Sequence, residues 1–365
     1  MLSTTVRSWT TITAEGIEVM KLLHTADLHL KKGEAKRHEV FVWLIRKADE
    51  LNVDYFVVAG DLFETDADAT QLRHDVRKMF ESVKCTFLII PGNHDRRSFG
   101  PDRDYGKNVI QLTEEPFHCC EMEGAKFCGV PYQEKKFSEC ARDVPKDVDV
   151  LIAHGTLYDR SFIFSVLEDI ETEYMPMYPA HLDGIARYVA LGHLHSRNVE
   201  LRYGETRVVY PGSPAALDTK CTDTRCFYII NIDGPDVKAS KHRVDVAPSW
   251  TEKKFFVFPN VENKIISDIG SFLEGIDESI AMPNIIIRGY TLAREKEFKE
   301  RIESVAAESC RRFEDFKLQV NIQSWDLIMS NRMVQRFVSK TEGLDDDLRT
   351  KVFEITFPIF DKALR

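Results

Sequence analysis

The sequence predicts an α/β fold. Short continuous apolar runs alternate with stretches whose apolar residues recur at helical spacing, and several run ends carry Asp, Asn and His. Leu22-Leu23-His24 is followed by Phe41, Leu44, Ile45 and Ala48 at i, i+3, i+4 and i+7, and then by Tyr55-Phe56-Val57-Val58-Ala59. That is a strand, an amphipathic helix and a buried strand. A helix over residues 69–82 leads into a third strand at 86–90 in the same rhythm. Apolar runs at 150–153, 188–191, 207–210 and 226–230 add strands; the last two are close in sequence and are expected to pair antiparallel in a second sheet packed on the first. Beyond Ala247-Pro248-Ser249, runs at 254–258, 284–288 and 316–320 separated by helical periodicity read as a small α+β domain over residues 251–326. Residues 327–365 read as a separate helical segment, broken at Gly343, with Met333, Val334, Phe337 and Val338 in its apolar pattern. This pattern is that of a surface for docking a partner and equally that of a terminal helix packed on its own domain.

Composition bounds the function. A chain of 365 residues holds about two domains, and 43% hydrophobic with 30% charged residues excludes collagen-like, low-complexity and disordered classes. A net charge of −10 and a pI near 5.6 leave no basic footprint, so a nucleic-acid contact has to be a local patch or be metal-assisted. The eight cysteines form no CxxC pair and read as reduced thiols, which places the protein in the cytoplasm. No apolar run is long enough to span a bilayer, and residues 1–19 are Thr-rich without the apolar core of a signal peptide. These residues are set aside as a disordered leader, and the first domain is read over 20–250.

Five run ends carry ligand-type side chains: Asp27-Leu28-His29, Gly60-Asp61, Gly92-Asn93-His94-Asp95, His154-Gly155 and Gly192-His193-Leu194-His195. In an open α/β sheet such ends converge on one crevice. A lone DxH or GD is common by chance, whereas five in order at strand ends is not. The mixed oxygen and nitrogen set suits manganese, iron or zinc. In Asp27-x-His29 and His193-x-His195, side chains two apart share a face if the backbone is extended. Asp61 would bridge two cations, with Asp27, His29 and His195 on one side and Asn93, His154 and His193 on the other, an arrangement suited to phosphoester hydrolysis. His94, next to a ligand and pointing elsewhere, reads as the general acid, with Asp95 orienting it.

The order D-x-H, G-D, G-N-H-D, H, G-H-x-H across residues 21–215 resembles the calcineurin-like metallophosphoesterase superfamily. LLHTADLHL, VAGDLFE, IPGNHD, Gly129-Val130-Pro131-Tyr132 and Tyr210-Pro211-Gly212-Ser213-Pro214 narrow the resemblance to the SbcD-type (Mre-eleven) DNA double-strand-break repair nucleases. This resemblance implies a four-layer sandwich of two β-sheets flanked by helices, with residues 251–326 in the place of a DNA-capping domain. It implies two divalent metal ions, manganese foremost and Mg2+, Fe2+ or Zn2+ as alternatives, held by Asp27, His29, Asp61, Asn93, His154, His193 and His195, with His94 catalytic. It further implies exonuclease and endonuclease action on DNA ends, a homodimer, and an SbcC-type SMC-like ATPase partner that binds the helical segment after the capping domain. One departure stands out: Glu64 follows Gly60-Asp61-Leu62-Phe63 where the repair nucleases commonly carry a second histidine. A carboxylate there would repel phosphate.

Arg96 and Arg97 read as phosphate contacts or as a solvated basic pair, and Tyr158 as a substrate contact or a polar loop residue. Two other functions stay open on the same core. One is hydrolysis of small or cyclic-nucleotide esters, which fits the acidic pI; the other is a DNA-tethering scaffold with weak activity.

Overall fold

The computed structural model describes residues 19–161, 174–234 and 236–364, so all but the last residue of the expected leader lies outside the described residues. The chain divides into two compact units, Met1–Ala247 and Pro248–Arg365. In the first, chain order is β1 (Met20–Thr25), α1 (Ala35–Glu50), β2 (Tyr55–Ala59), α2 (Asp66–Glu81), β3 (Thr86–Ile90), β4 (Val109–Gln111), β5 (His118–Met122), β6 (Ala125–Val130), α3 (Phe137–Cys140), β7 (Val150–His154), α4 (Pro179–Leu182), β8 (Tyr188–Gly192), β9 (Val199–Tyr203), β10 (Thr206–Tyr210), β11 (Cys226–Asp233) and β12 (Asp236–Arg243).

Two six-stranded mixed sheets result, ordered β12-β11-β1-β2-β3-β4 and β5-β6-β7-β8-β10-β9. Their central strands are parallel: β1 to β4 in the first sheet, β6, β7, β8 and β10 in the second. Parallel strands buried on both faces read as unbroken apolar runs, which is why β1, β2, β3, β7, β8 and β10 are visible in the sequence, whereas the half-buried β4 and the strand β6 are not. The period-2 alternation divides each strand between two cores. Leu22, Val57 and Leu88 face Phe127, Ile152 and Ala190 between the sheets. Leu23, Phe56, Val58 and Phe87 face Phe41, Leu44, Val76 and Phe80 of α1 and α2, while Leu151, Val189 and Val208 face Phe137 of α3 and Leu182 of α4. The layers are helices, sheet, sheet, helices. Truncating a side chain such as Phe41, fully buried in this packing, would cost about 3–5 kcal/mol.

Three expectations are corrected. The strands at 207–210 and 226–230 do not pair with each other: β10 is parallel to β8 and antiparallel to β9, and β11 joins the other sheet, antiparallel to β1 and β12. The helix expected at 69–82 starts at Asp66, because the Thr65 side chain accepts the Asp68 N–H at 3.1 Å and Asp66 and Asp68 favour the positive helix end. The cysteines are not all free thiols, since β5 and β6 place Cys119 opposite Cys128 as a disulfide and leave six free.

The second unit contains β13 (Ser249–Val257), α5 (Glu262–Glu274), β14 (Ala281–Thr291), α6 (Glu295–Ser309), β15 (Lys317–Ser324), α7 (Trp325–Met329), α8 (Arg332–Lys340) and α9 (Asp346–Leu364). Its three strands are all parallel, with α5 and α6 as the crossovers parallel neighbours require, so the sequence-based α+β expectation becomes α/β. Residues 327–364 are not a separate segment. Ile328, Val334, Val338, Phe353 and Phe357 share one core with Val257, Ile269, Ile285, Ile287 and Ile322. Among the described residues no helix is long and apolar enough to cross a membrane.

Candidate metal centre

The residues at the C-terminal ends of β1, β2, β3, β7 and β8 meet at one place. Asp27 and His29 follow β1, Asp61 follows β2, Asn93 and His94 follow β3, His154 ends β7, and His193 and His195 follow β8. Both sheets contribute, so the site lies where the two carboxyl edges come together.

Asp27, His29 and Asp61 have φ of 53°, 45° and 51°, and His193 has 105°. The two DxH and HxH segments are therefore not extended, and their side chains share a target through tight left-handed turns. Such conformations cost about 1–3 kcal/mol each and persist where the surroundings over-determine them. Here the turns brace one another: Asp27 N–H donates to the Gly60 carbonyl at 3.1 Å and His29 N–H to the Asp61 carbonyl at 3.0 Å. The His193 N–H donates to both oxygens of Asp27, each at 3.0 Å. Glycine is required at two points of close approach. A Cβ at Gly60 would sit 2.2 Å from His154 Nδ1, and one at Gly92 would sit 2.0 Å from Asp61 Oδ1.

Ligand atoms of Asp27, His29, Asp61 and His195 all lie within 4.8 Å of one another. His29 Nε2 faces His195 Nε2 at 3.1 Å, with Asp61 Oδ2 at 3.6 Å from the former and Asp27 Oδ1 at 3.5 Å from the latter. On the other side of Asp61, His154 donates Nδ1–H to the Ala59 carbonyl at 2.9 Å, so the Nε2 of a neutral ring carries its lone pair. That lone pair points at two more acceptors, Asn93 Oδ1 at 3.0 Å and Asp61 Oδ2 at 3.2 Å. Asp61 Oδ2 and His193 Nδ1 are buried without a hydrogen-bond partner among the described residues. His193 stands behind, its ring 5.3 Å from that of His154. Lone pairs and carboxylates converging in this way repel unless protons or cations lie among them, and the set fits two divalent cations sharing Asp61.

Without metal the site polarises itself. Burial pushes the Asp27 carboxyl up, but the His195 hydrogen bond and the charges of His195 and His154 outweigh it and hold Asp27 below the usual range. Asp61 is likewise held low, by His154 above all, against the cost of burial. His154 is raised to about 9, because the Asp61 carboxylate overcomes its desolvation, whereas burial and the neighbouring His154 push His193 down to about 3. Burial also lowers His29, and Asp27 raises His195 against its burial.

His94 is exposed, its ring edge-on to His29 at a centroid distance of 4.6 Å, and its Nδ1 donates to the Glu64 carbonyl at 3.0 Å. Nε2 is thus the atom left to exchange a proton with a ligand. Asp95 does not orient it, contrary to the sequence expectation. Its fully buried carboxyl accepts the Gly92 and Phe63 N–H groups at 2.9 and 3.1 Å and so ties the β2 and β3 loops together. Burial and the Asp61 charge push it up to about 8.

Glu64 and Arg37 were not assigned a site role in the sequence. Glu64 Oε2 lies 2.6 Å from Arg37 Nη1 and 3.4 Å from His29 Nδ1, and the same guanidinium holds the His29 carbonyl at 2.8 Å. The carboxylate expected to repel phosphate is paired with Arg37, and it stands beside a candidate metal-site histidine. Departure from the expected histidine was its only sequence signal, and Arg37, one polar position on an amphipathic helix, had none. Arg96 is held on the surface by Glu115 and Glu134 at 3.1 and 3.5 Å, whereas the Arg97 guanidinium makes no ion pair among the described residues. Tyr158 stacks on Tyr178 at 5.6 Å beyond the His154 loop.

Residues 20–197 match the family described as calcineurin-like phosphoesterase. The chain is 23% identical over 262 residues to the SbcD component of the SbcCD nuclease of Escherichia coli, covering 58% of this chain and 64% of that protein. It is 26% identical to the uncharacterized metallophosphoesterase YhaO of Bacillus subtilis, over 60% of this chain and 59% of the relative. To the DNA double-strand break repair protein Mre11 of Methanopyrus kandleri it is 28% identical, over 54% and 49%. It thus spans less than two thirds of each relative. With the ordered motifs in place at the strand ends, residues 20–197 belong to the calcineurin-like metallophosphoesterase superfamily.

Proposed function

We propose that this protein is a divalent-cation-dependent nuclease that hydrolyses phosphodiester bonds at DNA ends, with manganese as the foremost metal. The observation that carries the reading is the pair of repulsive donor sets sharing Asp61, with His94 held beside them at the exposed rim by the bond from its Nδ1 to the Glu64 carbonyl. Asp27, His29, Asp61 and His195 would hold one cation, and Asp61, Asn93, His154 and His193 would hold the other. When bound, such a pair stabilises the developing charge on a phosphoryl group and acidifies a water. The protein's own part is positional: Asp61 fixes the two sets at one distance, the Ala59 carbonyl fixes the His154 tautomer, and the Glu64 carbonyl aims His94 Nε2 at the leaving oxygen. DNA as substrate is supported by the similarity to the SbcCD nuclease component and Mre11.

The second unit offers a face for an SMC-like ATPase partner. Leu348, Ile355 and Ile359 on α9 are 44%, 70% and 62% exposed, and their i, i+7, i+11 spacing puts them on one stripe opposite the buried Phe353 and Phe357. The α8 residues Val334 and Val338 pack inward instead. A homodimer completes the proposed assembly.

End-labelled linear duplex incubated with manganese, with magnesium and chelator controls, tests the reading. Loss of label that needs manganese and disappears in His94→Ala, while that variant keeps its metal content, is the expected result. A two-metal protein that leaves duplex intact but turns over bis(p-nitrophenyl) phosphate rapidly would replace it with a small-ester hydrolase.

A further inference from the structure

We propose that Arg225 is a positioning residue of the metal centre, its buried guanidinium fixing the backbone of His195. Arg225 is 1% exposed, among the largest fully buried side chains of the chain. Its Nη1 donates to the His195 carbonyl at 2.9 Å and to the Ser213 carbonyl at 3.2 Å, its Nη2 to the Ser196 carbonyl at 2.9 Å, and its Nε to the Asp223 carbonyl at 2.8 Å. No carboxylate pairs with it among the described residues. A desolvated cation without a counter-ion is costly to keep, and four carbonyl dipoles at one point are what keep it.

Two further observations give the clamp its purpose. The His195 carbonyl also accepts the Ser213 N–H at 3.1 Å, so its direction is doubly fixed. The ring of His154 is fixed by the bond from its Nδ1 to the Ala59 carbonyl, and that of His29 has the Glu64 carboxylate 3.4 Å from Nδ1, whereas among the described residues nothing hydrogen-bonds His195 Nδ1. The orientation of the His195 ring is therefore set through its main chain. Arg225 sits immediately before β11, the neighbour of β1, while His195 follows β8 of the other sheet. The guanidinium thereby ties the sheet bearing Asp27 and His29 to the loop bearing His195, and holds Nε2 3.1 Å from its His29 counterpart.

The inference rests on His195 as a metal ligand, and one experiment separates the two. Metal-depleted wild type, Arg225→Met and Arg225→Lys, each checked for folding by circular dichroism and thermal melting, are titrated with manganese alone by calorimetry and electron paramagnetic resonance. Wild type should bind two ions. Arg225→Met should keep one site at wild-type affinity and weaken the other by about 10- to 100-fold, with an altered resonance spectrum at that site. Arg225→Lys, able to reach only some of the carbonyls, should recover part of the loss. Folded Arg225→Met binding both ions as wild type does would overturn the proposal. So would failure of both variants to fold, which would assign the guanidinium to the fold as a whole. Wild type binding no manganese would remove the metal reading itself, and this inference with it.

Discussion

The metal affinity of this protein should rise steeply with pH, because the first competitor for the site is a proton on His154. In the metal-free protein His154 is raised to about 9 by the Asp61 carboxylate, whose Oδ2 lies 3.2 Å from Nε2. A cation that takes His154 Nε2 must displace that proton. The deprotonated fraction of a group titrating near 9 grows from about one in a thousand at pH 6 to about one in eleven at pH 8, so the apparent manganese affinity should increase by roughly 90-fold, or about 2.7 kcal/mol at 1.36 kcal/mol per pKa unit. His193, pushed down to about 3 by burial, adds nothing in this range; burial also lowers His29, whereas His195 is raised by Asp27 and steepens the dependence.

Stability should follow with a definite sign. A histidine raised on folding contributes stability that is complete below its unfolded pKa near 6.5 and is lost as pH climbs through about 9. Asp27 and Asp61, held low, contribute stability that is present above the ordinary aspartate range and lost as pH falls beneath it. The metal-free first unit therefore weakens on the alkaline side while manganese binding strengthens there. At a fixed manganese concentration well above Kd, the gain in Tm should grow by about 5–10 °C between pH 6 and 8. Calorimetric titration in buffers of different ionisation enthalpy counts the protons released, and scanning fluorimetry reads the Tm. Asp61→Asn should abolish most of the pH dependence along with most of the affinity. An affinity equal within threefold at pH 6 and pH 8, or binding with no proton released, would refute the assignment of His154 as a ligand opposite Asp61.

Glu64, held down to about 2 by the His29 hydrogen bond and Arg37, backs His29 through a partly exposed pair. Glu64→Gln should weaken manganese binding by about tenfold and cost no more than about 1 kcal/mol of stability, read by calorimetry and urea unfolding. Ile355→Asp combined with Ile359→Asp should leave folding and metal content unchanged and abolish co-purification with an SMC-like ATPase, since both side chains project away from the α9 core face.

The fold class was legible because parallel strands buried on both faces write continuous apolar runs, and α1 writes its stripe as Val40, Phe41, Leu44, Ile45 and Ala48. Which strand lies beside which was not. The runs carrying Val208 and Ile230 are alike in composition, yet one joins β8 and the other β1, a choice made by the whole of each sheet and not by the residues between them. β5 and β12 bury few residues, so they carry no comparable signal, and the Cys119–Cys128 disulfide went unseen with β5.

Within the site the same division holds, and it has a physical cause. Residue types announce themselves at strand ends, because an Asp or His just past an apolar run has few structural reasons to be there. The roles of Asp95, Glu64, Arg37 and Arg225 depend on partners 27 to 35 residues away, or on backbone N–H and carbonyl groups, which nearly every residue possesses. Positive φ at Asp27, His29, Asp61 and His193 runs against the local preference of each residue, so no local rule could have placed them. These are the positions where the two sheets hold the chain in turns it would otherwise avoid, through bonds such as His193 N–H to Asp27 and Asp27 N–H to Gly60. Because each strained turn is held by a neighbour that is itself strained, loosening one should release the others, and the ligand geometry should be lost cooperatively and not one side chain at a time.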